Sequence, residues 1–167
     1  LRLKLLKKLL EDQIKVTFSQ GSPKSKTLSE MLEKTLKDYH NRVIQAADVV
    51  NVMIKMRKEM EEEMRKRHDL GLSEEEIEFY KAVTAMEHDS FSNEFLADLI
   101  HKVVKALKKQ LAVDWTSPHR RDVYAKVKLA VKRVLMKEKV TGQQLQFLTN
   151  KFMEQAEQQY KDWPMNA

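Results

Sequence analysis

Cysteine is missing from all 167 residues, so the chain can hold neither a disulfide framework nor a thiolate-ligated zinc. That absence fits a reducing, cytoplasmic setting. Glycine and proline are nearly as scarce, at three each. Sandwiches, barrels and doubly wound sheets need turn residues at every reversal, and so few cannot supply them. No apolar run approaches the ~18 residues of a membrane span. Helices with short connections are what these shortages leave.

What is present agrees. Hydrophobic residues make up 42% of the chain, enough for a core, and charged residues 34%, above the usual share. The 31 Lys+Arg against 25 Asp+Glu give a net charge of +6. This balance is compatible with a nucleic-acid neighbour without being diagnostic of one. The opening Leu1-Arg2-Leu3-Lys4 is neither an initiator methionine nor a signal peptide, and reads as a boundary inside a longer protein.

Residues 1–26 read as a leading helix and linker, and 27–167 as a helical bundle domain. Leu6, Leu9, Leu10 and Ile14 share one face of the first helix, with lysines on the other. Such a helix either lies on a membrane surface or packs in a core, and the second reading is preferred. Val16 to Lys26 reads as a loop, after which Thr27 and Glu30 form a capping box. One very long helix is expected from there to Arg67. Its heptad rows are Leu32, Tyr39, Ala46, Met53, Met60 and Leu36, Val43, Val50, Arg57, Met64. Its charged end, Lys58 to Asp69, is expected to project into solvent before Gly71 stops it. Capping boxes at Ser73/Glu76 and Thr141/Gln144, and Thr116 or Ser117 ahead of Pro118, open later helices. The expected architecture is all-α, an irregular bundle of about six helices.

The helix from Ser117 to Lys139 is the most informative. Val123, Val127, Ala130, Val131 and Val134 form its main apolar face, while Ala125, Leu129 and Met136 form a second one. Lys126, Arg133 and Lys137 flank that second face on one side, and Arg121, Lys128, Lys132 and Lys139 on the other. A helix apolar on two sides is either central or touches something beyond the bundle. Its basic rows are either a solvated surface or phosphate contacts, with Lys126, Arg133 and Lys137 the candidates.

Candidate chemistry is thin. The three glycines are isolated and none precedes a Lys-Ser/Thr pair, so no phosphate-gripping loop is visible. No lysine has Asp or Glu two positions before it, which excludes the Glu-x-Lys pattern of restriction-type nucleases from this segment. No two of the five histidines stand three or four apart. Glu87-His88-Asp89 reads as a turn, and the runs Glu61–Glu63 and Glu74–Glu76 as helix surface. No catalytic, cofactor-binding or metal-binding residue is expected. Two clusters stay open. Tyr39-His40-Asn41-Arg42 is either a partner contact or a core tyrosine beside ordinary polar surface. Val113-Asp114-Trp115-Thr116 reads first as a buried tryptophan at a helix corner.

Three stretches in series resemble the C-terminal helical domain of the restriction (R) subunit of type I restriction–modification enzymes. They are Leu28-Ser29-Glu30-Met31-Leu32-Glu33 through Tyr39-His40-Asn41-Arg42, then Leu70-Gly71-Leu72-Ser73-Glu74-Glu75-Glu76 with Phe79-Tyr80, and Val113-Asp114-Trp115-Thr116 followed by Val131-Lys132-Arg133-Val134-Leu135. Lys139-Val140-Thr141-Gly142 departs from the family, which often places an aromatic-Pro turn there. The resemblance implies a parent that couples an endonuclease to an ATP-driven, Mg-dependent DNA translocase, with this domain docking the motor onto methyltransferase (M) and specificity (S) subunits. Leu129 and Met136, with Tyr39 to Arg42, are the candidate contacts. The alternative is a helical module that binds the DNA backbone.

Overall fold

The computed structural model describes residues 2–19, 21–85 and 91–164. Among them it contains seven α-helices, one 3-10 turn and no strand: α1 (Arg2–Thr17), α2 (Pro23–His40), α3 (Ala46–Asp69), α4 (Glu74–Thr84), α5 (Asn93–Lys108), α6 (Arg121–Lys137) and α7 (Gly142–Tyr160). The all-α expectation holds. No helix among the described residues is long and apolar enough to cross a membrane. The chain forms two compact units, one built on Leu1–Asp69 and the other on Leu70–Thr84 with the chain from α5 onward.

The first unit is a three-helix cluster, and here the expected single long helix breaks in two. The break is a Schellman stop: Asn41 caps α2, Arg42 takes the left-handed conformation at φ 62, Arg42 N donates to Tyr39 O, and Val43 N donates to Asp38 O at 2.8 Å. Glycine usually fills the Arg42 position, so the sequence carries no visible signal. Asp48 then restarts the chain by accepting from Gln45 N at 2.9 Å. At 24 residues, α3 is about 36 Å long rather than the length expected of an unbroken helix.

The interruption also changes the seam. Val49, Met53, Met56 and Met60 are buried on α3, while Val50 and Met64 from the second expected row are exposed, as is Ile54. Most of the charged end is exposed as expected, including Lys58, Glu61, Glu62, Arg65 and Lys66, but one face of it stays packed. Arg67 is buried, 3.4 Å from Glu63 and with its guanidinium 5.8 Å from the Phe18 ring centre.

Two other details of this unit differ from expectation. Leu10 and Ile14 of α1 are buried, but Leu6 and Leu9 face solvent. The helix α2 starts at Pro23, capped by Ser22, whose hydroxyl accepts from Ser25 N at 3.3 Å. Thr27 is therefore interior, and its hydroxyl donates to Pro23 O. Either serine or threonine can cap, and the Ser22-Pro23 pair prevails because proline is pre-set for the first helical position.

The second unit packs α4 against α5 and α7, and α6 against α5 and α7. Gly71, at φ 72, makes the expected stop after α3. The box at Ser73 is reciprocal as expected: Ser73 N donates to Glu76 Oε1 at 3.1 Å, and Glu76 N donates to Ser73 Oγ at 3.2 Å. His88 and its neighbours lie outside the described residues. Ser92 caps α5, and Ser117 caps the 3-10 turn before α6 with Pro118 at its first position.

The 139–142 stretch, where the sequence departs from the family, opens with a second Schellman stop. Lys139 is left-handed at φ 67, Val140 N donates to Leu135 O at 2.9 Å, and Val140 is buried. Thr141 caps α7 by position alone, since its side chain makes no capping bond and the expected box with Gln144 does not form. The core gathers Phe79, Ile100, Val103, Leu107, Trp115, Val127, Leu135, Phe152 and Tyr160, all essentially without exposure.

Candidate functional site

The surface of α6 divides into four sectors. Val123, Val127, Val131 and Leu135 are buried against α5 and α7. Leu135 was absent from the expected apolar face because its position lies at that face's edge. Opposite, Leu129 and Met136 stand 46% and 59% exposed, so this unit does not cover the second apolar strip. Lys126, Arg133 and Lys137 flank it, exposed and without an ion pair to any described residue. Lys128 and Lys132 lie on the other flank, half-buried beside α7. Sequence periodicity alone located this arrangement.

The other candidate cluster lies in the first unit. Tyr39 is half-buried against that unit's core, while His40, Asn41 and Arg42 are exposed. An open groove of about 470 Å³ between α1 and α2 has Leu3, Leu36 and Tyr39 among its walls, with Lys4, Lys7 and His40 around them. Asn41 also lines it, but Arg42 does not: its backbone makes the helix stop.

Trp115 is fully buried, as its reading as a corner anchor requires. Its indole Nε1 donates to Tyr160 O at 2.8 Å, and its ring stacks on Tyr124 at 5.8 Å between centres. Asp114 contributes through its backbone, left-handed at φ 57 with its carbonyl accepting from Ser117 N.

A polar network that the sequence did not reveal ties α4, α5 and α7 together. Tyr160 Oη donates to Glu75 Oε2 at 2.8 Å, Lys108 Nζ binds the same oxygen, and Gln159 Nε2 donates to Glu75 O at 3.2 Å. The Lys108 bond, followed by the Tyr160 bond, holds the Glu75 carboxyl below its usual range. Burial, reinforced by Glu75, raises the Tyr160 phenol. Tyr124 is likewise pushed up to about 12 by burial and a hydrogen bond to Glu157. The neighbouring Glu76 contacts His101 Nδ1. With each carboxylate already engaged by a lysine, an imidazole or a phenol, this network reads as a clasp between helices.

No group of three or more His, Cys, Asp or Glu among the described residues could hold a metal ion.

Fold and surface together define a class: an all-helical segment in two units whose most distinctive surface is an outward apolar strip on a basic helix. The chain belongs to the family described as type I restriction enzyme HindI endonuclease subunit-like, C-terminal, whose model matches residues 1–162. It is similar to the type I restriction enzyme HindI endonuclease subunit of Haemophilus influenzae, at 26% identity over 159 residues, 94% of this chain and 15% of that protein. It is also similar to the putative type I restriction enzyme MjaIXP endonuclease subunit of Methanocaldococcus jannaschii, at 28% identity over 80% of this chain and 13% of the relative. The chain thus spans about one-seventh of the length of these relatives. No solved structure matches it.

Proposed function

We propose that the chain is a non-catalytic docking segment of a cytoplasmic type I restriction enzyme, seating the endonuclease–motor subunit on its methyltransferase and specificity subunits. One observation carries the reading: Leu129 and Met136 stand exposed on a helix with a fully packed opposite face. Lys126, Arg133 and Lys137 run beside them without ion pairs to described residues, which suits an acidic rim on the partner. The partner-contact candidates Tyr39, His40 and Asn41 line an apolar groove in the first unit, which agrees with a segment built to present surface. ATP and magnesium would belong to other parts of the parent protein.

The test is assembly of the chain with its cognate methyltransferase–specificity core. Burying the exposed halves of Leu129 and Met136 is worth about 2 kcal/mol together, since full burial gives ~1.5–3 kcal/mol for each. Leu129→Glu with Met136→Glu is expected to weaken assembly by roughly 30-fold or more. Unchanged binding would remove this face from the interface. The DNA-backbone reading of the same helix predicts instead that binding collapses with salt and with charge reversal at Lys126, Arg133 and Lys137.

A further inference from the structure

Lys128 and Lys132 differ from the other bases of α6 in lying half-buried, one helical turn apart, in a cleft of about 260 Å³ between α6 and α7. Gln146 and Asn150, also one turn apart, form the facing wall, and Leu145 lies between. None of the residues lining the cleft is acidic. Nor is a counter-charge available nearby: α7 carries no carboxylate from Gly142 through Met153. Glu138, at the end of α6, is bound by Lys102 at 2.8 Å, and Glu157 is engaged by Tyr124. Neither lysine has an ion pair with a described residue. Two like charges drawn partly out of water without a carboxylate leave a site whose electrostatics favour an anion.

From this geometry we infer that the α6–α7 cleft binds consecutive phosphates of a duplex DNA backbone. Lys128 and Lys132 on one wall, and Gln146 and Asn150 on the other, are each spaced about 6 Å along their helix axes, which suits a repeating polyanion better than a lone ion. All four side chains can donate hydrogen bonds to phosphate oxygens. No aromatic side chain lines the cleft, so stacking on unpaired bases has no platform there, and the duplex is favoured over a single strand. The choice of DNA as the polyanion rests on the restriction-enzyme reading above. The cleft itself is independent of the Leu129–Met136 strip.

The test is fluorescence anisotropy of the full chain with a labelled duplex, titrated across salt concentrations. Lys128→Gln with Lys132→Gln is expected to lower the slope of log affinity against log salt by about 1.8, near 0.9 for each lost phosphate contact. An equal-charge control, Lys126→Gln with Arg133→Gln, should change it by less than half as much. Circular dichroism confirms that both variants keep their helices. Equal effects of the two pairs would reduce the cleft to general surface charge and overturn the inference. So would absence of duplex binding at low salt, or competition by inorganic phosphate or a polyglutamate peptide as effective as that of unlabelled duplex. Loss of the DNA arm while assembly with the methyltransferase core persists would end this inference alone.

Discussion

Replacing Trp115 tests how the second unit is held together, and its cost can be worked from contacts already described. The side chain is fully buried, so Trp115→Ala opens a cavity costing about 3–5 kcal/mol. It also removes the donor to Tyr160 O, a further ~1–3 kcal/mol if that carbonyl stays dry. Trp115→Phe keeps most of the ring and loses only the donor and part of the stack on Tyr124. The alanine variant should therefore lose ~5 kcal/mol and the phenylalanine variant ~2 kcal/mol. For a unit of this size each ~1 kcal/mol shifts the melting midpoint by about 4–8 °C. The drop should be about 10–15 °C for phenylalanine and about 20 °C or more for alanine. Near-ultraviolet circular dichroism and fluorescence of the remaining Trp163, edge-on to Tyr160 at 5.6 Å, report on this unit directly. An alanine variant melting within a few degrees of the parent would refute the reasoning. A phenylalanine variant as damaged as alanine would show that the hydrogen bond, not the volume, carries the cost.

Two further outcomes follow from the backbone and from the clasp. Lys139→Gly should stabilise the chain by about 0.5–1 kcal/mol in urea unfolding, because a left-handed lysine costs ~1–2 kcal/mol and glycine returns part of that as unfolded-state entropy. No gain would mean that the Lys139 side chain offsets its own strain. Glu75 has a carboxyl held below its unfolded value, so its contribution is present above about pH 4.5 and fades as pH falls through the lower folded value. Glu75→Gln should therefore flatten the acid limb of a stability-versus-pH curve, and an unchanged limb would show that the clasp has no electrostatic share.

Much of this architecture was legible because its signals are local. Gly71, the Ser73–Glu76 box, Ser117-Pro118 and the sectors of α6 depend on residues within a few positions of each other. The stops at Arg42 and Lys139 were not legible, because the left-handed position is occupied by residues that carry no such preference. Missing the first of these merged α2 with α3 and misplaced the buried seam. The Glu75 clasp was invisible for another reason: its partners Lys108 and Tyr160 lie 33 and 85 positions away, and no periodicity reaches so far. The lysine pair of the α6–α7 cleft was visible only as one flank of a basic helix, since the facing wall of α7 appears once the fold is closed.

That distance has a consequence for how the protein comes into being. The core of the first unit is supplied entirely by residues before Asp69, so it can pack before the second unit has been synthesised. In the second unit Phe79, Glu75 and Trp115 all wait for α7, since Phe152 and Tyr160 supply their ring and hydrogen-bond partners. Until Tyr160 has left the ribosome, those apolar surfaces stand open to water and to neighbouring chains. The late arrival of one helix makes that interval the period when the nascent chain is most exposed to aggregation.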